Sequence, residues 1–462
     1  MAATLDPANV RAVFKAYDVR GTVPDQIDEA LARATGAAFV QVVGATTVVV
    51  GHDMRPSSPG MAGAFAEGAS SAGADVVLIG LASTDQLYFA SGHLELPGAM
   101  FTASHNPAQY NGIKLCRSYA QPVGMDTGLA QIRDLVGQAS EPRAATGAAG
   151  SISEHDVLEA YAAHLLTLAP VSGRRLKVVV DAGNGMAGHT APAVFGRLGA
   201  AVELVPLYFE LDGTFPHHEA NPIDPANLVD LQRRVLAEGA DLGLAFDGDA
   251  DRCFVVDERG RAVSPSTLTA LIAARELAKE PGATVIHNLI TSRAVPEIVT
   301  ELGGTPVRTR VGHSFIKATM AETGAIFGGE HSGHFYFRDF WRADSGMLAA
   351  LHTMAALADT DRPLSELLAA YERYAVSGEI NSEVTDPGAV LAALESAYAG
   401  TDGVRIDHLD GLTVSHADWS FNVRPSNTEP LLRLNAEGRD EATMAEVRDR
   451  VLGRIRDKGA TR

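Results

Sequence analysis

Cysteine is nearly absent from this sequence of 462 residues, which contains only Cys116 and Cys253. Two cysteines do not make a disulfide framework, so the composition favours a reducing environment. Long apolar runs are also missing, since none approaches the roughly 18 residues that a transmembrane helix requires. The opening residues MAATLDPANVRAVFK lack the apolar core of a signal peptide. We therefore expect a cytoplasmic protein without a membrane segment.

Basic residues are also few: the sequence has 38 lysines and arginines and 57 acidic residues, which gives a net charge of −19. A nucleic-acid-binding protein needs a positive surface, so this charge argues against that class. The cationic contacts of an anionic ligand would have to be concentrated locally. Each lysine or arginine inside a motif is therefore informative.

Short β-branched runs alternate with helical patterns along a chain that is too long for one hydrophobic core. KVVVD from Lys177 and LGLAF from Leu242 have the length of strands buried on both faces of a sheet. Amphipathic segments such as 225–239 and 266–280 lie between the runs. This alternation predicts α/β domains with mainly parallel sheets.

Four domains are predicted from the breaks in this pattern. A linker rich in alanine, glycine and serine, residues 136–151, separates domain I from domain II. Domain III ends after a predicted helix over residues 364–374, and domain IV has strands followed by one helix. The predicted boundaries are 1–150, 151–256, 257–372 and 373–462.

DGDADR, residues 247–252, places three aspartates at alternate positions after a predicted strand. Alternation points Asp247, Asp249 and Asp251 to one side, where three oxygen ligands suit Mg²⁺ or Ca²⁺. An EF-hand is the alternative, since Glu258 stands twelfth, but Arg252 occupies the sixth place, which requires glycine. We predict a metal site, with Mg²⁺ as the preferred ion.

TASHNPAQYNGIK, residues 102–114, brings a hydroxyl, an imidazole and an ammonium close together in sequence. Asn106 and Pro107 disfavour a helix, which keeps Ser104 on a loop. A phosphorylated Ser104 would supply an oxygen to the open positions of a magnesium site. A turn with a capping serine is the alternative without chemistry.

RPSNTEP, residues 424–430, offers a fork-shaped cation, two hydroxyls and an amide, which together can surround a phosphate. Arg433 follows on the next predicted strand. A simple hairpin loop is the alternative, and the two arginines argue against it.

GGEHSGH, residues 328–334, carries Glu330, Ser332 and His334 on a glycine-rich loop. A carboxylate beside a hydroxyl is suited to binding sugar hydroxyls. Zinc held by His331 and His334 is the alternative, but it lacks a third ligand.

GNGMAG, residues 183–188, fits the glycine pattern of dinucleotide-binding loops, and Glu203 lies about where a ribose-binding acid would stand. A nicotinamide dehydrogenase is therefore a rival from another enzyme class. It leaves DGDADR, RPSNTEP and TASHNP unexplained, and tight strand-to-helix packing also accounts for the glycines.

Together these loops resemble the α-D-phosphohexomutase superfamily, most of all its bacterial phosphomannomutase/phosphoglucomutase members. The resemblance runs from FKAYDVRG, residues 14–21, to RPSNTEP, in the family order of serine, metal, sugar and phosphate loops. It implies an α/β fold of four domains around a central cleft, the first three with similar mixed-sheet cores and the fourth a smaller α+β domain. His52, where arginine is more usual, and Asp85, where many relatives carry proline, depart from the pattern.

The resemblance also implies roles for individual residues. Ser104 would be the phosphoserine and would bind one Mg²⁺ together with Asp247, Asp249 and Asp251. The catalytic residues would be Ser104, His105, Lys114, Arg252 and His334, with the identity of the general base left open. The substrate-binding residues would be Tyr17, Arg20, His313, Glu330, Ser332, Arg424, Ser426, Asn427, Thr428 and Arg433.

The implied activity is that of an intramolecular phosphotransferase, which interconverts the 1- and 6-phosphates of mannose and of glucose. It would use a phosphoserine enzyme and a hexose 1,6-bisphosphate as intermediate and activator. Phosphoglucosamine mutase is the nearest alternative, followed by a Mg²⁺-dependent serine phosphatase and a non-catalytic sugar-phosphate sensor. The expected partners are small phosphosugars, with no nucleic acid and no membrane, and the chain would be a monomer or homodimer.

Overall fold

The computed structural model of the chain describes residues 5–138, 148–425 and 431–459. The chain divides into two compact units. Unit 1 comprises Met1–Pro265 and Ser332–Ser365, and unit 2 comprises Ser266–His331 and Glu366–Arg462. Within the described ranges, no helix has both the length and the apolar character needed to cross a membrane.

The N-terminal part of unit 1 is built on a sheet of seven strands, and helices pack on it. The strands are β1 (Val19–Thr22), β2 (Thr47–His52), β3 (Asp75–Leu81), β4 (Gly98–Phe101), β5 (Tyr110–Arg117), β6 (Gln121–Pro122) and β7 (Ile152–Glu154). The helices are α1 (Pro7–Val13), α2 (Glu29–Val43), α3 (Ser58–Ser71), α4 (Thr84–His93) and α5 (Leu129–Gln138).

This first sheet is mixed. β2 is parallel to both of its neighbours, β3 and β4, whereas β5 runs antiparallel to β4 and β1. The valines of β2 are buried, as expected for a central strand with helices on its faces. The predicted linker starts too early, because α5 continues to Gln138; residues 139–147 lie outside the described ranges.

A second sheet of five strands forms the next part of unit 1. Its elements are α6 (Leu158–Leu168), β8 (Leu176–Asp181), α7 (Ala187–Gly196), β9 (Val202–Leu207), α8 (Val229–Glu238), β10 (Leu242–Phe246), β11 (Cys253–Asp257) and β12 (Ala262–Val263). β8 is parallel to β9 and β10, and β11 is antiparallel to β10 and β12. The strands predicted at Lys177 and Leu242 are confirmed.

Further along the chain, three parallel strands lie in unit 2, with β13 between the other two. This stretch contains α9 (Pro265–Lys279), β13 (Thr284–Asn288), α10 (Ala294–Glu301), β14 (Thr305–Thr309), α11 (His313–Thr323) and β15 (Phe327–Gly329). Unit 1 then resumes with the antiparallel pair β16 (Phe335–Phe337) and β17 (Ala343–Asp344), and with α12 (Gly346–Ala358). The helix predicted over 364–374 is shorter, because α13 covers only Leu364–Leu368.

The C-terminal part of unit 2 is an antiparallel sheet in the order β18-β22-β21-β20-β19, with helices on one face. Its elements are β18 (Ala375–Glu383), α14 (Pro387–Tyr398), β19 (Arg405–Asp407), β20 (Leu412–Ser415), β21 (Trp419–Pro425), β22 (Leu431–Gly438) and α15 (Glu441–Gly459). Apolar residues of β21 and β22 alternate toward α14 and α15, so the polar residues between them share the opposite face. The α+β character predicted for this part is confirmed.

The two sheets of unit 1 place their loops in the same way. In each, a parallel strand (β4 or β10) is followed by a loop and then by an antiparallel strand (β5 or β11). The first loop carries Ser104 and the second carries the three aspartates. Both loops therefore lie at the carboxyl ends of parallel strands, where α/β proteins commonly bind ligands.

Candidate active site

Ser104 is buried in the loop between β4 and β5. Its backbone is left-handed, with φ at +50°, and its N–H donates to Thr102 Oγ1 at 2.9 Å. The hydroxyl donates to Asp247 Oδ2 at 2.7 Å and lies 3.2 Å from His105 Nδ1. The turn thus presents Oγ directly to the aspartate loop.

Asp247, Asp249 and Asp251 are buried, and each offers an oxygen within 4.8 Å of the others. Lys114 Nζ contacts Asp249 Oδ2 at 2.7 Å and Asp251 Oδ2 at 2.6 Å. Arg252 Nε contacts Asp247 Oδ2 at 2.9 Å. The loop is flanked by strands β10 and β11 and not by helices, so the EF-hand alternative is wrong for this site.

The charges of this aspartate cluster do not balance among the described residues. Three carboxylates face the two cations Lys114 and Arg252. Burial raises the pKa of Asp247 to about 8, Arg252 opposes the rise, and the neighbouring aspartates add to it. Burial would also raise the pKa of Asp249, but Lys114 brings it well below its usual range. An excess of buried negative charge is the condition that a bound cation relieves.

The donor set fits magnesium. Oδ1 of Asp249 and Oδ1 of Asp251 are buried and accept no hydrogen bond from the described part of the chain. Mg²⁺ prefers oxygen ligands and is commonly held by a few carboxylates that leave positions for water and phosphate oxygens. His334, Asp251 and Asp344 form a second group of possible ligands, but it shares Asp251 and belongs to the same site.

His105, Arg252 and His334 complete the surroundings of Ser104. Arg252 Nη2 lies 3.1 Å from Ser104 Oγ and also contacts His105 Nδ1. Burial and then Arg252 hold the pKa of His105 well below its usual value, which favours a neutral imidazole. His334 pairs with Arg252 through a short β-bridge, and its Nε2 lies 3.7 Å from Asp251 Oδ1. Ser332 Oγ is 2.9 Å from His334 Nδ1.

Arg20 on β1 reaches the serine loop from the side. Its Nη1 donates to Asn106 Oδ1 at 2.6 Å, and its Nη2 pairs with Asp18 at 2.5 Å. Tyr17, three residues earlier, is half-buried beside the segment at Gly124. The structure thus brings Arg20 to the Ser104 loop.

Glu330 is buried in unit 2, directly after β15. Its Oε1 accepts from Asn288 Nδ2 and from the N–H of Gly312, each at 3.2 Å. These two hydrogen bonds orient the carboxylate. The next candidate along the chain, His313, is the first residue of α11.

Arg424 on β21 and Arg433 on β22 stand opposite each other in the antiparallel sheet. Both contact Glu379 of β18, Arg424 at 2.8 Å and Arg433 at 3.4 Å. The three predicted phosphate ligands between them, Ser426, Asn427 and Thr428, lie outside the described residues. A further carboxylate, Asp410, also acts on Arg424.

Several partners of the predicted residues carry no sequence motif of their own. Thr84 Oγ1 donates to Asp249 Oδ2 at 2.6 Å, Asn288 orients Glu330, and Glu379 joins the two arginines. Thr84 stands in STDQ, next to the unusual Asp85, which was the only available signal. The other two lie in segments without a recognisable motif.

The glycines of GNGMAG approach neighbouring backbone closely. A Cβ added at Gly185 would lie 2.7 Å from the carbonyl oxygen of Gly248, and one at Gly188 would lie 2.3 Å from that of Phe209. Gly185 therefore lets this loop pack against the aspartate loop. The contacts favour the packing interpretation over a dinucleotide site.

Comparison with known proteins matches this architecture along most of the chain. Four models of the phosphoglucomutase/phosphomannomutase family match, those for α/β/α domains I, II and III over residues 11–143, 159–260 and 264–374, and that for the C-terminal domain over 379–454. The chain belongs to this family. Its members are mutases, a class of isomerases that act as intramolecular phosphotransferases, and the family uses Mg²⁺.

Individual relatives are similar over nearly their whole length. A phosphomannomutase of Salmonella typhimurium is 41% identical over 445 residues, covering 95% of this chain and 97% of that protein. A Xanthomonas campestris protein named "Phosphohexose mutases" is 41% identical over 449 residues, with 96% and 98% covered. A crystal structure of a Burkholderia thailandensis family member, 34% identical, superposes with a TM-score of 0.87 and 97% and 98% coverage. These similarities support a phosphohexomutase and confirm the predicted four-domain α/β fold.

Proposed function

We propose that this chain interconverts hexose 1-phosphates and hexose 6-phosphates, of mannose and also of glucose, through a phosphorylated Ser104 and a 1,6-bisphosphate. The observation that supports the proposal most directly is the position of the Ser104 hydroxyl. It lies 2.7 Å from Asp247 in a cluster of three aspartates, a lysine and an arginine. Phosphoryl transfer depends mainly on positioning and on charge stabilisation, which such a cluster supplies.

The first half-reaction would begin with phosphate on Ser104. The bond from Ser104 Oγ to phosphorus breaks while the free hydroxyl of the sugar monophosphate forms a new bond to phosphorus. The proton of that hydroxyl must pass to a base, and Oγ must regain a proton. His105 and His334 are the imidazoles of the site, and His105 Nδ1 lies 3.2 Å from Oγ. Either would serve this transfer as the general base.

Lys114 and Arg252 would neutralise charge on the transferring group. Both are held by aspartates at 2.6–2.9 Å, so their positions are set before substrate arrives. Asp247, Asp249 and Asp251, with an oxygen of phosphorylated Ser104, would hold Mg²⁺. A Mg²⁺ ion bound there would withdraw charge from the phosphoryl oxygens.

The sugar monophosphate would be bound through its ring hydroxyls and through the phosphate that it already carries, which lies distal to Ser104. We assign the ring hydroxyls to Glu330 and Ser332, and the distal phosphate to Arg424 and Arg433. Further substrate contacts would come from the family-matched positions Tyr17, Arg20, His313, Ser426, Asn427 and Thr428. After the first transfer, the bisphosphate must turn around, so that its other phosphate returns to Ser104 and the isomeric monophosphate leaves.

Activity on both mannose and glucose phosphates follows if Glu330 and Ser332 bind the 3- and 4-hydroxyls of the sugar ring. Mannose and glucose differ only at the 2-hydroxyl, which such contacts would barely distinguish. A preference above about a hundredfold in kcat/KM would contradict this part of the proposal. Phosphoglucosamine mutase is the alternative within the family, and a Mg²⁺-dependent phosphatase is the alternative outside it.

Domain boundaries at 150/151, 256/257 and 372/373, a cytoplasmic location, and a monomeric or homodimeric state also remain predictions. The segments matched by the family models, 11–143, 159–260, 264–374 and 379–454, overlap the four predicted ranges. Limited proteolysis with mass determination of the fragments tests the boundaries, and light scattering tests the oligomeric state.

The test of function is ³¹P NMR with Mg²⁺ and a catalytic amount of glucose 1,6-bisphosphate. Mannose, glucose and glucosamine 1-phosphates are supplied in separate samples, together with the Ser104→Ala variant. We expect conversion of the mannose and glucose esters to 6-phosphates, lost in Ser104→Ala. Ser91→Ala is the matched control, because Ser91 is equally buried and donates to the carbonyl of Leu96. Release of inorganic phosphate would indicate a phosphatase, and conversion of the glucosamine ester alone would favour the alternative mutase.

A further inference from the structure

Arg55 is one of the most buried charged residues of the described chain, with 1% of its surface exposed. It stands three residues after β2, in the turn that leads to α3. A buried guanidinium is costly unless its hydrogen-bond donors are satisfied. The cost therefore depends on which groups accept hydrogen bonds from the guanidinium of Arg55.

Four of the five guanidinium N–H groups donate to the main chain of the Ser104 loop. Their acceptors, at 2.6–2.9 Å, are the carbonyl oxygens of Ser104, Asn106, Pro107 and Tyr110. The fifth donor, on Nε, faces Asp53 Oδ2 at 3.3 Å. Because the donors of arginine form a rigid planar fork, they fix the relative directions of these four carbonyls.

The peptide of Ser104 is also constrained by its backbone conformation and by a second close neighbour. Its φ of +50° is uncommon for a residue other than glycine, and such a conformation persists where the surroundings over-determine it. Arg55 Nη2 contacts its carbonyl at 2.9 Å, and Gly248 of the aspartate loop approaches so closely that a Cβ there would lie 2.4 Å from the same oxygen. The direction of this carbonyl and that of the Ser104 side chain are set together, because they belong to one residue.

Arg55 is itself held from two sides. Asp53 accepts from Ser58 Oγ at 2.6 Å and from the N–H of Arg55 at 3.0 Å, which fixes the carboxylate that faces Nε. The ring of Phe215 lies 5.1 Å from the guanidinium carbon, at cation–π distance. The fork is therefore rigid as well as buried.

We propose that Arg55 is a positioning residue for phosphoryl transfer, and that it holds the Ser104 loop in the conformation that directs Oγ at Asp247. Its relevance to catalysis rests on the proposed function, because it assumes that Ser104 carries the phosphoryl group. The order of the loop itself does not depend on that assumption.

Arg55→Lys tests the proposal, because lysine keeps the charge but loses the fork. The first measurement is amide hydrogen exchange of the peptide spanning residues 102–112, which reports loop order without any turnover. The second is the rate constant for loss of labelled phosphate from Ser104 to excess glucose 1-phosphate. That rate constant is independent of the fraction of active protein. We expect faster exchange in this peptide and a transfer about 100-fold slower, the size typical of a small misplacement of reacting groups.

Phe39→Leu is the matched control for loss of stability. Phe39 lies on α2, is fully buried in the core of the first sheet, and its ring centroid is 5.9 Å from that of Phe65. A purely structural role for Arg55 predicts that both variants lower the melting temperature alike while loop exchange and the transfer rate constant stay as in wild type. That result would overturn the proposal.

If Arg55→Lys does not fold, Phe215→Leu replaces it, since it removes the ring but leaves the four hydrogen bonds. We then expect faster exchange in the same peptide and a transfer about threefold slower, and unchanged values would count against the proposal. If wild type shows no transfer at all, the proposed function fails. Exchange in the variants then still decides whether Arg55 orders the loop.

Discussion

Two groups of ionisable residues differ in the sign of the charge that dominates them. In unit 1, Asp247, Asp249 and Asp251 contact two cations, Lys114 and Arg252, and a further carboxylate, Asp344, lies beside Asp251, so negative charge is in excess. In unit 2, the neighbouring Arg424 and Arg433 share contacts with the carboxylate of Glu379, and Asp410 also acts on Arg424. The excess of carboxylates suits a bound cation, and the two adjacent arginines suit a phosphate.

The two groups also differ in how firmly they are held. The aspartates are buried at strand ends and bonded to Lys114 and Thr84, whereas Glu379 is partly exposed. Ion pairs screened by solvent contribute little to stability, whereas loss of one partner of a buried ion pair is strongly destabilising. We therefore expect substitutions at the aspartate cluster to have larger effects than substitutions around Glu379.

The largest effect is expected for Asp247→Asn. It removes one of the three carboxylates that would hold the ion and lowers the excess of negative charge that favours a cation. Binding of Mn²⁺, used as a Mg²⁺ substitute and followed by electron paramagnetic resonance, should weaken by more than about 100-fold, beyond the loss typical of outer-shell partners. Asp85→Asn is the control, since Asp85 is an equally buried aspartate outside the cluster. Equal affinities of the two variants for Mn²⁺ would contradict the prediction that the negative charge of the aspartate cluster binds the ion.

Arg424→Lys is expected to have the next largest effect. Lysine keeps the charge but cannot donate two parallel hydrogen bonds to a phosphate. Loss of one charge-assisted hydrogen bond should raise KM for the hexose monophosphate by roughly 10- to 100-fold. Arg405→Lys, an exposed arginine on β19, is the control. A loss confined to kcat would mean that Arg424 acts in the transition state and not as a phosphate-binding residue.

Glu379→Gln should act in the opposite direction. The glutamate competes with phosphate for Arg424 and Arg433, so its neutral analogue should leave both arginines more available. Because the pair is partly solvated, we expect inorganic phosphate to inhibit about two- to fivefold more strongly, within the range of exposed ion pairs. Glu383→Gln, on the same strand, is the control. Weaker inhibition by phosphate would show that Glu379 mainly orients the arginines.

Sequence patterns predicted the strands that end at this site. KVVVD and LGLAF became β8 and β10, because a short apolar run, three valines in the first and five residues in the second, is readily recognised as a buried strand. The Ser104 and aspartate loops were found because their residue types and spacing carry the chemistry. The proximity of these two loops, Ser104 Oγ to Asp247 at 2.7 Å, came only from the resemblance and from the structure.

What the sequence could not show is the set of residues that hold the site in place. Arg55 and Glu379 act through contacts with residues about 50 positions away, and no local pattern encodes such contacts. The helix predicted over 364–374 ends early, at Leu368, because an amphipathic pattern does not show where packing stops. Local signals thus locate the reacting groups, and tertiary contacts fix their geometry.

Asp85 is a buried carboxylate outside both groups, and no cation contacts it among the described residues. It therefore shows how a buried acid behaves when only uncharged groups donate to it. Three hydroxyls donate to it: those of Tyr161 at 2.7 Å, Ser345 at 2.6 Å and Ser83. Burial raises its pKa to about 6, the hydroxyls oppose the rise, and the nearby charge of Asp251 adds to it. The hydroxyls join three separated stretches of unit 1 at one buried acid.

Asp85→Asn should have the smallest effect on turnover and should change the pH dependence of stability. Because the folded pKa of about 6 lies above the ordinary value of 3.8, the protonated acid contributes stability below about pH 4, and this contribution is lost as pH rises through about 6. Asparagine cannot ionise, so the melting temperature of the variant relative to wild type should rise between about pH 4 and pH 7. The corresponding change in the free energy of unfolding is at most about 3 kcal/mol. A difference in melting temperature that stays constant over this range would show that the three hydroxyls alone keep Asp85 ionised, as Lys114 does for Asp249.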